Sequence, residues 1–523
     1  MKRVIKITIT AGVAALGLMA GITYVSISRS PPWQETCLGE TTVGNVVLTK
    51  KRIELDDGNI FVVDQGAIQV PEVRNDATAR SITIGFWVLR GTGEATDAPV
   101  YMLPGGPGNS YIESFGSEET RKLISLFRDV GDVVLVDLRG INLSTPNISG
   151  GSAGLFSTFE TEAEYLDLTT EAARAGRKKL VRGGFDLTGY NVIEAADDVV
   201  AIADALGHEN INLYGTSFGS HWSLTVARQH PNRVHRFVVD GVEGFDHTVD
   251  DSDAVADTIA RIALEASPVW NGAYDVDDPF EAMQRLFAKA EGNPDDAFGL
   301  QSYEVATSLI QGQMLGFDYA LGDRSTMARW PADIAKIMDG NGAERLPIYR
   351  LIAGTRMGRS AKEAAVGLFD CASWISDDRN ARLRATAGTG VPDDLALLTA
   401  KCEGWGVVPL SQDFRTSFVS DVRGLFVQGT YDVKTPYQNV LELLPSFPNA
   451  DLVTVHGGSH EAMTEALEAA PAFAQQLREW YTSETVPADV TLPAIAFTPC
   501  PICDAQIGPP PMAPKIMQQQ GSP

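Results

Sequence analysis

Almost continuously apolar runs alternate with amphipathic ones along the first half of the chain. "DVVLVDLRG" (132–140), "INLYG" (211–215) and "RFVVDG" (236–241) read as strands buried on both faces of a sheet. "NIFVVDQGAIQVP" (59–71) and "SITIGFWVLRG" (81–91) are rich in β-branched and aromatic residues and bounded by turn formers, so they too read as strands. "VIEAADDVVAIADALG" (192–207) places apolar residues at three- and four-residue steps and ends on glycine, which predicts a helix with its stop. Strand and helix alternate from about residue 42, so a mostly parallel sheet flanked by helices is expected, an α/β fold.

After Gly244 the rhythm changes. "DTIARIALEA", "FEAMQRLFAKAEG" and "WPADIAKIMDG" predict helices across 247–414 with little strand character, an inserted helical cap. Alternation then returns in "RGLFVQG", "PYQNVLELLPSF", "DLVTVHGG" and "EAMTEALEAAPAFAQQLREWYTS". The expected layout is an N-terminal segment at 1–30, a core at 42–246, a cap at 247–414 and the rest of the core at 415–484. A proline-rich tail without periodicity would fill 485–523.

The N-terminus changes the picture. Three basic residues in "MKRVIK" precede an uncharged run over 7–28, long enough to span a bilayer. This predicts export to the periplasm or the extracellular space, with the segment either a cleaved signal or a retained membrane anchor. A net charge of −25 argues against nucleic acid, which requires a basic face. Of five cysteines, Cys371 and Cys402 lie in one region and can close a loop. "CPIC" (Cys500, Cys503) has too few neighbouring ligands for a metal and reads as a local disulfide or two thiols. Cys37 is left over or pairs with one of the others.

The candidate chemistry centres on "INLYGTSFGSHWSL" (211–224), where Ser217 sits between Gly215 and Gly219 at a strand-to-helix turn. Such a turn holds a serine nucleophile in a strained conformation, and its partners follow in the order serine, acid, histidine. Asp432, just past a buried strand in "VQGTYDVKTP", and His460, in "VHGGSHEAM", fit that order. All three fall at the carboxyl ends of strands, the rim where parallel sheets bind ligands. His460 would act as general base and then general acid, with Asp432 holding its tautomer. The oxyanion would be met by the amide of Phe218 and by that of Gly105 or Gly106 in "PGGPG". His456 ends a strand and His221 lies one helical turn past Ser217, so both read as structural. Asp451 precedes a strand and lies at the wrong rim.

These segments resemble the α/β-hydrolases of the proline iminopeptidase and tripeptidyl aminopeptidase type, over roughly 60–250 and 365–480. The likeness is carried by "GAIQVPEVRND", "APVYMLPGGPGNS", "DVVLVDLRGINLSTP", "LYGTSFGSHWSL" and "VQGTYDVKTPYQNV…HGGSH". "FDCASW" and "KCEGW" are similar to a cysteine–tryptophan pair of the tripeptidyl aminopeptidase-like members. The resemblance implies an α/β-hydrolase fold whose cap shapes the pocket, with Ser217, Asp432 and His460 on the family triad and "PGGPG" on the oxyanion loop. It implies removal of residues from peptide amino termini, or ester hydrolysis. Two positions depart from the pattern: Pro104 stands where the iminopeptidase branch has histidine, and Asn142 replaces the second glycine of "RGxGxS".

An aminopeptidase must recognise a free α-amine, and Glu243, in "VVDGVEGFD", is the candidate carboxylate, with Asp246 weaker. Three functions follow: an aminopeptidase-like exopeptidase, a carboxylesterase acting on small or lipophilic esters, and a non-catalytic binding module on the same scaffold. Serine at the nucleophile position disfavours a dehalogenase, which would use aspartate there. No metal or organic cofactor is indicated.

Overall fold

The structure, a computed structural model, describes residues 33–92, 98–148, 162–292, 323–338, 361–386, 391, 395–416, 418–483 and 485–498. Its centre is a sheet in the order β1-β2-β3-β4-β6-β5-β7-β8-β9-β10-β11. The strands are β1 (Trp33–Val43), β2 (Val46–Leu55), β3 (Ile60–Pro71), β4 (Ser81–Leu89), β5 (Val100–Leu103) and β6 (Val133–Val136). They continue with β7 (Ile211–Thr216), β8 (Val234–Asp240), β9 (Arg423–Gly429), β10 (Ala450–His456) and β11 (Val490–Thr491). From β6 to β11 every neighbouring pair is parallel, while β1 to β4, and β4 against β6, pair antiparallel. The sheet is therefore mixed, with a parallel half that carries the site. It also begins earlier than residue 42: β1 starts at Trp33 and is exposed along most of its length. Such a ribbon edge lacks the apolar alternation from which strands are read.

The helices used below are α1 (Glu118–Arg128), α2 (Glu162–Arg182), α3 (Val192–Leu206), α4 (Phe218–Gln229), α5 (Ser252–Trp270), α6 (Pro279–Gly292) and α7 (Trp330–Met338). They continue with α8 (Ala361–Ser373), α9 (Asp377–Thr386), α10 (Leu395–Trp405), α11 (Tyr437–Leu443), α12 (Ala462–Ala469) and α13 (Pro471–Thr482). The period-two alternation of the short central strands feeds a core on each face. In β6, Val134 and Val136 pack with α3 and α4, while Val133 and Leu135 pack with α1, α12 and α13. β5 divides in the same way, Tyr101 and Leu103 against Val100 and Met102. That two-sided burial is why these strands are uniformly apolar.

The helical insertion is not one unit. α5, α6 and α7 form their own cluster around Ile259, Ile262, Trp270 and Trp330. In contrast, α8, α9 and α10 send Leu368, Phe369, Leu383 and Leu398 into the same core as α3 and α4. α2, which the sequence reading did not separate from the core, runs along α10, with Thr170 Oγ1 donating to the Ala400 carbonyl at 3.0 Å. The tail expected over 485–523 also needs correction. Residues 485–498 close the sheet through β11, bury Leu492 and Phe497, and donate Thr498 N–H to the Ala328 carbonyl at 2.7 Å. Proline-rich segments of this kind have no period to read, yet their apolar side chains still find a groove. The "CPIC" cysteines and the apolar run at 7–28 lie outside the described residues. Among the described residues, no helix is long and apolar enough to cross a membrane.

Cys371 and Cys402 are joined in a disulfide that ties α8 to α10. Cys37 is exposed and free among the described residues. The pair closes a chain segment 31 residues long, for which loop-closure entropy gives roughly 3–4 kcal/mol. Replacing both cysteines by serine should therefore lower unfolding stability by about 3 kcal/mol, read from urea denaturation without reductant. An unchanged midpoint would show that α8 and α10 are held by packing alone.

Candidate active site

Ser217 follows β7 directly and precedes α4, with φ 55° and ψ −130°. A non-glycine residue with this backbone is strained, and the surrounding structure must hold it. Its amide donates to the Asp240 carbonyl at the end of β8 (3.1 Å), and its carbonyl accepts from Ser220 N–H and the Ser220 hydroxyl. The flanking glycines are required sterically. A β-carbon on Gly215 would run into the Gly219 carbonyl, and one on Gly219 into the Leu103 carbonyl. Serine at a helix N-cap normally bonds the first turn, but Ser217 makes no such bond. Among the described residues its hydroxyl makes no hydrogen bond, to His460 or to any other group.

Asp432 lies in the turn after β9 and is fully buried. Lys434 N–H and Thr435 N–H donate to Oδ1, each at 2.9 Å. The Thr435 hydroxyl (2.6 Å) and Gln428 Nε2 (3.0 Å) donate to Oδ2. His460 Nδ1 lies 3.0 Å from Oδ2 and 3.1 Å from Oδ1. Burial pushes the Asp432 carboxyl up, but the imidazole and these donors outweigh it and hold the group below the ordinary aspartate range. Burial likewise opposes charge on His460, yet the Asp432 carboxylate raises its pKa above the usual 6.5. His460 reaches the nucleophile side of the sheet past Gly241. A β-carbon there would lie 2.9 Å from His460 Cε1, and Gly241 follows the residue that receives the Ser217 amide. The serine and the imidazole thus flank one strand end.

Gly105 lies against the serine, where a β-carbon would come within 2.9 Å of Ser217 Cβ. Gly106 has φ +122°. The amides of Phe218, Gly105 and Gly106 donate to no loop, cap or side-chain acceptor among the described residues. This leaves them available to a developing oxyanion. The loop is braced from below: the Ser110 hydroxyl and Asn142 Nδ2 (2.8 Å) both donate to Asp137. Asn142 takes φ 46°. Asparagine tolerates the left-handed region better than most residues, so it can stand where glycine was expected.

Glu243 is fixed through its backbone, its N–H donating to Ser220 Oγ at 2.8 Å. Its carboxyl faces Asp370 of α8, and Phe369 beside Asp370 packs on Phe218 with ring centroids 5.7 Å apart. Both carboxyls keep part of their surface open yet are enclosed by protein, as in a cleft wall. Neither has a hydrogen-bond or ion-pair partner among the described residues. Burial, then repulsion from Asp370 and Asp250, pushes Glu243 well above the usual glutamate range. Burial pushes Asp370 up to about 7, against the pull of Lys401. Asp246, the weaker candidate, is committed elsewhere: it accepts from the backbone and hydroxyl of Ser376.

The rival residues have other employment. His221 is fully buried, pairs with the Ser373 hydroxyl at 3.0 Å, and is pushed down to about 3 by burial. His456 is exposed and pairs in register with Thr491. Asp451 bonds Arg423 at the opposite end of β10. Asp370, Thr435 and Gln428 were not singled out from sequence. "KTP" (434–436), which puts Thr435 three residues after the acid, is the one local signal for Thr435; the other two have none.

Comparisons with known proteins bear on the fold and family of the chain. A family model for the alpha/beta hydrolase fold matches residues 98–290, and one for TAP-like proteins matches residues 391–492. The chain is 24% identical over 405 residues to the serine protease Hip1 of Mycobacterium tuberculosis and of Mycobacterium bovis, covering 68% of this chain and 74% of theirs. Solved structures that match include an alpha/beta hydrolase fold protein from Chitinophaga pinensis, 14% identical with a TM-score of 0.36. It covers 80% of this chain and 97% of its own. A thermophilic esterase from Thermogutta terrifontis is 16% identical with a TM-score of 0.32, covering 79% and 97%.

A base must be neutral to accept a proton, so activity should rise with pH through the His460 pKa. The acid limb of kcat/KM is expected above pH 6.5, given the upward shift. His460→Ala should abolish turnover, whereas His456→Ala should retain it. Loss of turnover in His456→Ala with His460→Ala still active would reverse the assignment.

Proposed function

We propose that this chain, which belongs to the α/β-hydrolase superfamily and is a serine hydrolase, removes residues from the amino termini of peptides. In this reading His460 takes the proton of the Ser217 hydroxyl as Oγ attacks the scissile carbonyl carbon. The amides of Phe218 and of Gly105 or Gly106 receive the resulting oxyanion. His460, its imidazolium balanced by Asp432, then protonates the leaving amine, and the C–N bond breaks to leave an acyl-enzyme. Water, deprotonated by His460, releases the acyl group and restores the serine.

The observation that carries the exopeptidase reading is the pair of enclosed, unpartnered carboxyls, Glu243 and Asp370, beside the nucleophile helix. Burial and the neighbouring Asp370 disfavour charge on Glu243, and burial disfavours it on Asp370. A substrate ammonium would neutralise them and favour their ionised forms. A small ester offers them nothing, although its hydrolysis uses the same Ser217 chemistry. The Cys371–Cys402 disulfide supports the further proposal that the protein is exported, since such bonds persist in oxidising compartments.

The test is a panel of proline and alanine anilides with a free amine, their amino-acetylated twins, and short acyl esters. Free-amine anilides should be preferred, and Ser217→Ala should lower turnover by at least about 10⁴-fold and abolish fluorophosphonate labelling. Glu243→Gln and Asp370→Asn should each reduce kcat/KM for free-amine substrates about tenfold or more while sparing esters. Because Asp370 protonates near pH 7, free-amine substrates should lose kcat/KM more steeply than esters as the pH falls below 7. Ester turnover with every free-amine anilide inert would replace the peptidase reading with the carboxylesterase one.

A further inference from the structure

Gln428, in β9, is buried without solvent contact and uses its whole amide. Its Oε1 accepts Val242 N–H at 2.8 Å, while Nε2 donates to Asp432 Oδ2 at 3.0 Å and to the Thr435 carbonyl at 2.9 Å. The partners fix the orientation. Val242 N–H can only donate, and the carboxylate and carbonyl can only accept, so a flipped amide would break all three bonds. Val242 immediately precedes Glu243, and on the far side Gly244 N–H donates to His247 Nδ1 at 3.0 Å. Gln428 therefore bonds at once to the loop that carries Glu243 and to the turn that carries Asp432.

We propose that Gln428 is a positioning residue that joins the Glu243 loop to the Asp432 turn, so that the amine subsite and the triad acid move as one body. This rests on reading Glu243 as the amine subsite. The link has a chemical reason. A peptide held by its ammonium presents its scissile carbonyl at a distance fixed by the loop, and reaction requires that carbonyl near a triad that has not shifted. The strands that carry the loop and the turn are paired up to Asp240 and Val427, and Asn439 Nδ2 reaches the Val242 carbonyl at 3.4 Å. Neither contact bonds the Asp432 carboxyl, which would keep its freedom relative to the loop. One buried glutamine, with a donor for the acid and an acceptor for the loop, removes that freedom.

The test uses the full chain with active sites counted by fluorophosphonate, so that misfolded protein is excluded. Gln428→Leu removes both links. Its preference for a free-amine anilide over an acyl ester should fall about tenfold. With one donor fewer, the Asp432 carboxylate becomes a stronger partner for the imidazolium, so the acid limb for the ester should move to higher pH. The groups facing His460 are Asp432 and Lys434 from the turn after β9, Glu461 beside it and Asp240 at the end of β8. None of the other three is altered. Gln428→Glu has the same shape. Protonated, it keeps the Val242 bond and one donor, so activity should approach wild type at low pH and fall along a new alkaline limb as the carboxyl ionises beside Asp432. A merely structural role would lower the titrated fraction and move neither preference nor limb. Glu243→Gln serves as the control: an unchanged amine preference there removes the amine reading. An unmoved acid limb in Gln428→Leu overturns the Gln428 assignment whatever Glu243→Gln does.

Discussion

The site depends on one charge held where charge is costly. Asp432 has no solvent contact, and an isolated carboxylate in such a place would take up a proton. Four donors from its own turn and strand, together with the His460 ring, keep it ionised. The ionised Asp432, with the Thr435 hydroxyl 3.2 Å from the same nitrogen, favours a proton on His460 Nδ1 and so leaves Nε2 as the acceptor. The buried turn and the end of β9 supply those donors.

The nucleophile obeys a different constraint, one of space rather than charge. Ser217 holds φ 55° because β7, β5 and α4 converge so closely that Gly215 and Gly219 have no room for a side chain. The neighbouring amides remain unspent in the same crowding. Strain is thus stored where the hydroxyl must be presented, and the close-packed central strands, apolar on both faces, supply the rigidity that maintains it.

A third polar system faces these two with the opposite logic. Asp432 is satisfied by protein, whereas Glu243 and Asp370 are enclosed and left without partners among the described residues. All three acids are enclosed by protein, Asp432 without solvent contact and the other two with part of their surface open; the difference lies in donors. In the proposed reading the satisfied one belongs to the triad, and the unsatisfied pair is completed by a substrate ammonium. The disulfide between α8 and α10 ties α8 at Cys371, the residue next to Asp370.

Local sequence determined the central strands, α3 with its glycine stop and the elbow around Ser217, and it singled out Asp432 and His460, which the structure bonds to each other. Each of these follows from short-range pattern: runs buried on both faces, helical spacing, and steric need for glycine. Tertiary structure decided what depends on contacts between distant segments. It drew α8 to α10 into the main core and left α5 to α7 as a separate cluster, because both groups have the same helical period and differ only in what they touch. It started the sheet at Trp33 and closed it with Val490 and Thr491, edge strands too exposed or too short to show alternation. It also set Asp370 opposite Glu243 and Gln428 between Val242 and Asp432. A lone buried carboxylate or glutamine carries no periodic signal, and its meaning is fixed only by the partners that folding brings, or fails to bring, within bonding distance.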